Sequence, residues 1–438
     1  MAAPCPLKCW SVRCGLRYDL RYDKGPPARA VHNRAMKKQV LVAGGGIGGL
    51  ATALGASRAG WDVRLYEHAP AFSEVGAGVQ IGPNVVRRLQ AWGLQQPLQT
   101  VAAFPSRLQV RNAVSGKELA VLPLGPTAVQ RYGAAYATIH RADLHNLLLS
   151  AVTKYTDTQL HMEHAIEGFS DAEGVVTVRT SRGKEIEGDA LIGADGLWSR
   201  TRTQLLGAIA PRVTGHLAYR ALVPQHALPD ALRTGQVTAW LGPRLHVVQY
   251  PVRRGELQNI VVIVQGPAPQ DLESWDHAAN AAGLEHALQG TCAPLQDVVR
   301  SVGAAGGPGW RLWPLCDRPP VRNAAEMACG LVALLGDAAH PMRPYLAQGA
   351  GMAIEDAAEL QRALAMHDMD VSLRLRRYAL NRWQRNARVQ ARSTRNGRIF
   401  HAMGPVRWGR DLSLRLLGER LLDVPWLYRG DGAGASSL

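Results

Sequence analysis

A chain of 438 residues with 47% apolar and 19% charged side chains can bury a large core in two or three domains, and its composition excludes disorder as the default state. No run of about 18 apolar residues occurs, which excludes a membrane-spanning helix. Six scattered cysteines without paired histidines exclude a disulfide framework or zinc ribbon and fit a reducing, cytoplasmic setting. The net charge of +15 suits anionic substrates and dinucleotides, and with no recognition motif beside it nucleic acid is not expected as a partner.

Residues 1–35 carry seven Lys or Arg against Asp19 and Asp23, show no periodicity and lack the apolar core of a secretory signal. They read as an extension that is disordered or lies ahead of the true start, with Met36 as that start. From Gln39 a short apolar strand to Ala43, a glycine turn, a helix through Arg58 and a strand ending at Glu67 form a βαβ unit. An amphipathic helix is expected over 140–154, and a hairpin followed by a strand over 174–194. Strands then follow one another at Leu217–Val223, Val237–Leu241, Leu245–Val252 and Leu257–Gln265, a separate sheet. Leu331–Leu335 returns to buried parallel-strand character, and a long helix starts near Gly349. Nine arginines between Arg374 and Arg398, interleaved with Leu, Tyr378, Trp383 and Val389, read as a solvated helix face. The expected organisation is a discontinuous first domain at 36–210 and 325–400, an inserted sheet at 211–324, and a helical segment with a tail at 401–438.

Gly44-x-Gly46-x-x-Gly49 sits between the first strand and the helix, and Glu67 ends the next strand. In that setting the first glycine makes the tight turn, the second admits a pyrophosphate to the backbone, and the third lets helix and strand approach. The helix N-terminus attracts the phosphates, and Glu67 is placed for the ribose hydroxyls. This motif alone does not separate FAD from NAD. Two further motifs do: Asp195-Gly196-x-x-Ser199-x-x-Arg202 after Ala190–Ala194, and Gly336-Asp337-Ala338-Ala339-His340-Pro341 after Leu331–Leu335.

With these three motifs in this order, from Gln39 to about Leu364, the chain resembles the group A flavoprotein monooxygenases, the single-component FAD-dependent aromatic hydroxylases. The resemblance implies an α/β (α+β mixed) fold: a Rossmann-like FAD-binding domain of glutathione-reductase type with an inserted, mainly antiparallel substrate sheet. By it, Asp337 would bind the ribityl chain of FAD, and the helix after Gly349 would point its N-terminus at the flavin ring. Asp195 would line a groove shared with the nicotinamide, Arg141 would contact the flavin, and Gln80 in the 76–84 segment would lie in a flavin-flanking loop. From the residues alone, Arg141 has the alternative reading of a surface residue at a helix start. A second glycine fingerprint is not readable, so NADH, or NADPH, would bind transiently on the FAD domain. The state implied is a monomer or homodimer.

On the strand Leu245–Val252, alternation puts His246, Val248 and Tyr250 on one face, the outer two about 13 Å apart, a span that brackets one aromatic ring. Without the resemblance these read as a satisfied sheet histidine and an ordinary strand aromatic. In 3-hydroxybenzoate 6-hydroxylases a His and a Tyr at such places handle the substrate phenol, and a neutral imidazole suits that task near neutral pH. By the same resemblance, Gln80 stands where 6-hydroxynicotinate 3-monooxygenases usually carry His, which argues against a pyridine substrate, and Tyr250 stands where salicylate hydroxylases tend to carry Phe, which argues against salicylate. Pro344 departs from a substrate-side glutamine found in 3-hydroxybenzoate 6-hydroxylases. The expected reaction is hydroxylation of 3-hydroxybenzoate to 2,5-dihydroxybenzoate with O2 and NAD(P)H. The alternatives are a decarboxylating salicylate 1-hydroxylase and a flavoprotein that reduces or oxidises without inserting oxygen.

Overall fold

Two large sheets organise the chain in the computed structural model, which describes residues 37–72, 77–269, 271–272, 277–278, 281–304 and 309–430. The extension at 1–35, Gly76 of the flavin-flanking segment and the tail at 431–438 lie outside the described residues. The first sheet orders its strands Ala328–Cys329, Val332–Leu334, Ala190–Gly193, Gln39–Ala43, Asp62–Tyr66 and Gln159–His161. Every neighbouring pair except the first is parallel. Parallel strands buried on both faces require unbroken apolar sequence, and Val40-Leu41-Val42-Ala43 and Ala190-Leu191-Ile192 supply it, all of them buried.

From Gln39–Ala43 the chain builds Asp62–Tyr66 on one side and later lays Ala190–Gly193 on the other. The strand order therefore reverses at the first strand, and in open α/β sheets the crevice beyond the carboxyl ends at such a reversal binds ligands. The helix Ile47–Arg58 runs beside the helix Gly349–Leu364 in close approach. A Cβ on Gly48 would lie 2.9 Å from Leu335 Cδ1, and one on Gly55 3.0 Å from the Ala357 carbonyl oxygen. The helix start at Gly349 agrees with the sequence; the strand expected at Leu331–Leu335 is shorter, Val332–Leu334.

The second sheet has eight strands, ordered His277–Ala278, Arg311–Asp317, Arg212–Pro224, Leu257–Gln265, Leu245–Val252, Val237–Gly242, Arg107–Asn112 and Glu118–Pro123. All four expected strands are present, but the bounds 211–324 are too narrow. Arg107–Asn112 and Glu118–Pro123 join the sheet from inside the first segment, through a parallel pairing of Leu108 with Val237. Sequence pattern carries no information about so distant a partner. The hairpin expected in 174–194 is a three-stranded antiparallel unit, Ile166–Ala172, Val175–Thr180 and Glu185–Gly188, ahead of Ala190–Gly193.

Register divides the residues of this sheet between two faces. One carries Tyr219, Ala221, Val247, Ile260 and Val262 against Leu284, Leu295, Val298 and Val302 of the helices Ala281–Ala287 and Ala293–Ala304. The other carries His246, Val248 and Tyr250, paired with Ile263, Val261 and Asn259, which pair in turn with Ala218, Arg220 and Leu222. Ala218 and Ile263 pack there with Trp313 and Tyr345, so the polar members of this face sit in an apolar frame.

The arginine run is a solvated face only in part: Arg376, Arg377, Arg388, Arg395 and Arg398 are exposed, and the others turn inward. It is one 30-residue helix, Val371–Phe400, in which Arg374 and Arg382 are buried. Arg382 donates to Asp356 (2.8 Å) and Glu355 (2.9 Å), and Arg385 donates to Glu355 (2.6 and 2.8 Å). His340, in the loop after Val332–Leu334, reaches Asp356 at 2.5 Å. These arginines hold the helix to Gly349–Leu364 through mutually compensated charges, fully buried at Arg382, Glu355 and Asp356 and nearly so at Arg385. The helices Gly404–Leu417, Glu419–Leu422 and Pro425–Tyr428 follow Val371–Phe400.

Candidate active site

The sequence motifs converge because each follows a strand of the first sheet. Asp337, Asp195, Gly44 and Glu67 stand just past the carboxyl ends of Val332–Leu334, Ala190–Gly193, Gln39–Ala43 and Asp62–Tyr66, four adjacent strands in that order. Three strand spacings separate the outer pair, about 14 Å. Gly44 has φ +99° and a Cβ there would meet the Ala194 carbonyl oxygen at 2.5 Å; a Cβ on Gly49 would overlap the Gly44 carbonyl oxygen. Both must be glycine for strand, turn and helix to close up. A Cβ on Gly46 would meet nothing within 4 Å, and Gly46 caps the helix Ile47–Arg58 without a side-chain hydrogen bond. Open space in front of uncapped amides is the cradle a diphosphate requires. The loop is braced by Glu67, whose Oε2 accepts from Gly45 N–H at 2.6 Å, and by the buried His145, whose Nε2 lies 2.8 Å from the Gly45 carbonyl oxygen. His145 was missed in the sequence because its partner is a backbone atom a hundred residues away.

The helix Gly349–Leu364 repeats this arrangement: its N-cap Gln348 makes no side-chain cap bond, and a Cβ on Gly349 would meet nothing within 4 Å. Asp337 reaches the surface of the turn Gly336–Ala338; the protein mass around it raises its carboxyl pKa, while His340 and Arg141 pull it down. Arg141 opens the helix Arg141–Tyr155, donating its backbone N–H to the Ala77 carbonyl at 3.0 Å. Gln80 lies on Gly78–Ile81, where its Oε1 accepts from Tyr136 Oη at 2.7 Å. Asp195 knits its own turn. It accepts from Ser199 Oγ at 2.5 Å and from the backbone and hydroxyl of Thr201 at 3.0 and 2.9 Å. Two uncapped helix N-termini and carboxylates at strand ends suit a dinucleotide carrying a diphosphate and sugar hydroxyls, so the residues fit FAD.

On the inner face of the second sheet, His246 and Tyr250 are both buried. His246 is surrounded by rings: His401 (centroids 5.0 Å), Tyr345 (5.1 Å) and Phe400 (5.4 Å), and its Nδ1 lies 2.8 Å from Nε2 of His401. His216 is hydrogen-bonded through Nδ1 to the Tyr345 hydroxyl. Burial, then His401 and His216, drive the His246 pKa well below the ordinary imidazole value, so it is neutral near pH 7. The Tyr250 hydroxyl donates to the Gly78 carbonyl at 2.6 Å, which leaves its oxygen able only to accept from a ligand. Gly78 must be glycine, since a Cβ would lie 2.6 Å from Tyr250 Cε2. Asn259 grips Gly78 N–H at 2.6 Å and bolts the flavin-flanking strand to the sheet.

Arg220 shares this face and was not singled out in the sequence. Its Nε is sealed from solvent with no hydrogen-bond partner, its guanidinium lies 5.0 Å over the Trp313 ring, and burial lowers its pKa to about 10. It stays charged at neutral pH. Strand alternation in Leu217–Val223 was the available signal: Arg220 is the one cation among apolar neighbours. Tyr345 and His401 gave none, because they come from a loop and a helix end.

The chain matches the FAD binding domain family over residues 37–291 and 315–400. It is 37% identical over 392 residues to a 3-hydroxybenzoate 6-hydroxylase of Polaromonas naphthalenivorans, covering 89% of this chain and 95% of that protein. It is 37% identical over 357 residues to a 6-hydroxynicotinate 3-monooxygenase of Bordetella bronchiseptica, covering 81% and 90%. The structure of HpxO from Klebsiella pneumoniae in complex with FAD and uric acid superposes with a TM-score of 0.77 at 25% identity, covering 88% and 94%. The chain therefore belongs to the FAD binding domain family, as a flavoprotein monooxygenase that hydroxylates aromatic rings with FAD as its cofactor.

Proposed function

We propose that the substrate is a small phenolic carboxylate, 3-hydroxybenzoate, converted to 2,5-dihydroxybenzoate with O2 and NADH, or NADPH. The observation that carries this reading is the pairing, on one sheet face, of a neutral imidazole, His246, with a desolvated cation, Arg220, that lacks a partner at Nε. Arg220 lies level with Val248, between His246 and Tyr250, two strands away and so about 10 Å across the sheet. A buried guanidinium calls for an anion, and the substrate carboxylate supplies one while the phenol reaches His246.

Bound FAD would supply the hydride acceptor for the nicotinamide and the means of activating O2 for insertion into the ring. The chain's part is to hold and polarise. His246 accepts the phenol proton through Nε2, which has no hydrogen-bond partner among the described residues, and so enriches the ring where oxygen enters. Arg220 fixes the opposite end of the acid, Tyr250 and Val248 form the floor, and the apolar frame around Ala218, Ile263 and Trp313 keeps water out. Gly44, Gly46, Gly49, Glu67, Asp337 and Gly349 hold the cofactor, with Arg141 and Gln80 along its flavin end. Asp195 acts by shaping the turn beside it. Residues 36–210 and 325–400, less the two strands at 107–123, form the cofactor-binding part; the eight-stranded sheet forms the substrate part.

A panel of 2-, 3- and 4-hydroxybenzoate, 3-amino-4-hydroxybenzoate and 6-hydroxynicotinate, scored by product mass and NADH consumption, tests this. The expected result is fast, coupled turnover of 3-hydroxybenzoate. Preferred hydroxylation of 6-hydroxynicotinate would overturn the substrate assignment.

A further inference from the structure

His246 is backed by a residue outside the segment that matches the family. The match ends at residue 400, and His401 follows as the C-cap of Val371–Phe400, 5% exposed. The 2.8 Å contact between Nδ1 of His246 and Nε2 of His401 holds one proton when both rings are neutral. Burial keeps them neutral: His401, desolvated and flanked by His216 and Arg410, is pushed down to about 3, and His246 lies well below its ordinary value. The groups around His401 are His216 on Arg212–Pro224, Tyr345 on the turn Pro344–Leu346, His246, and the ion pair Arg410–Asp411 on Gly404–Leu417. Among the described residues no carboxylate touches either imidazole, whereas a base histidine is commonly backed by one that stabilises its cation. The burial that keeps His246 neutral also disfavours the cation it would become on accepting a substrate proton.

We propose that His246 and His401 form a two-imidazole relay that carries the substrate hydroxyl proton out of the site without leaving a charge on either ring. The O–H bond breaks as its proton moves to Nε2 of His246, and the phenolate oxygen keeps the bonding pair. The proton on Nδ1 of His246 moves to Nε2 of His401, and the proton on Nδ1 of His401 passes to water. Both rings end neutral with their tautomers exchanged, and His246 now donates through Nε2–H to the phenolate. Nδ1 of His401 is closed off without a hydrogen-bond partner, so the last transfer requires water to reach it, and Met403, two residues on, is 48% exposed. The relay rests on the reading of His246 as the group that meets the substrate hydroxyl. His401 is in these terms a positioning and relay residue.

The test compares holoenzyme, His401→Gln, His401→Ala and His246→Ala, each mixed with 3-hydroxybenzoate while phenolate absorption and hydroxylation are followed across pH. The glutamine oxygen can still accept from Nδ1 of His246 but cannot pass a proton on. Expected for His401→Gln are unchanged flavin content and KM, a roughly 10²-fold fall in kcat and loss of the phenolate band; added imidazole should restore part of the rate of His401→Ala. If His401→Gln keeps kcat and the band while His246→Ala loses both, the relay is wrong and the base reading stands. If His246→Ala keeps both, the base reading falls and the relay with it. Nitrogen-15 histidine spectra of the wild-type protein give a check independent of variants: one proton shared between the two rings is expected, and its absence overturns the relay.

Discussion

Position 246 was legible from strand alternation, but its meaning was not, because a sheet histidine and a catalytic one occupy the same pattern. What favours the catalytic reading is three-dimensional: an Nε2 without a partner among the described residues, the His401 contact and the ring enclosure. His246→Ala is expected to retain its yellow flavin and to lose hydroxylation by roughly 10²-fold or more, read by product mass; unchanged product formation would remove His246 from the chemistry. Arg220 has a separable role. Arg220→Met keeps the packing over Trp313 but removes the charge, so KM for the aromatic acid should rise about tenfold or more, the value of a charge-assisted hydrogen bond, with flavin content unchanged. A variant with unaltered KM would place the carboxylate elsewhere.

At the level of elements, the glycine loop was fully readable because its constraint is local. The strand, the tight turn at Gly44 and the close approach at Gly49 lie within a few residues, and the structure places them as the spacing requires. Gly49→Ala forces its methyl into the Gly44 carbonyl, so the purified variant should lose most of its FAD, which absorbance against protein concentration measures. The arginine-rich helix shows the opposite case. Its period was legible, but the burial of some members was not: Glu355 and Asp356, on another helix, draw Arg382 and Arg385 inward while Arg376, Arg377, Arg388, Arg395 and Arg398 stay exposed. Arg382→Met removes one charged partner from each of two buried carboxylates, leaving Arg385 on Glu355 and His340 on Asp356, and should cost about 3–5 kcal/mol of stability by denaturant unfolding. A cost below about 1 kcal/mol would mean that the charges are not closed off from water.

For the molecule as a whole, the same ion network sets a pH window. The arginines and His340 overcome burial and hold Glu355 at about 2 and Asp356 lower still. Carboxylates depressed in the folded state contribute stability that is complete above their unfolded values, about 4; it is lost as pH falls through the folded ones. Melting temperature is therefore expected to drop between about pH 4 and pH 2 and to drop less in Arg382→Met, as measured by circular dichroism. Two-sheet architecture and cofactor class were open to sequence reasoning because motifs follow strands. The membership of Arg107–Asn112 and Glu118–Pro123 in the second sheet was not, since it depends on pairing across the chain. The most direct measurement of the central claim is turnover of 3-hydroxybenzoate with NADH under oxygen-18 gas. The account requires 2,5-dihydroxybenzoate carrying one oxygen-18 atom. Consumption of NADH and oxygen with the acid recovered unchanged would contradict it.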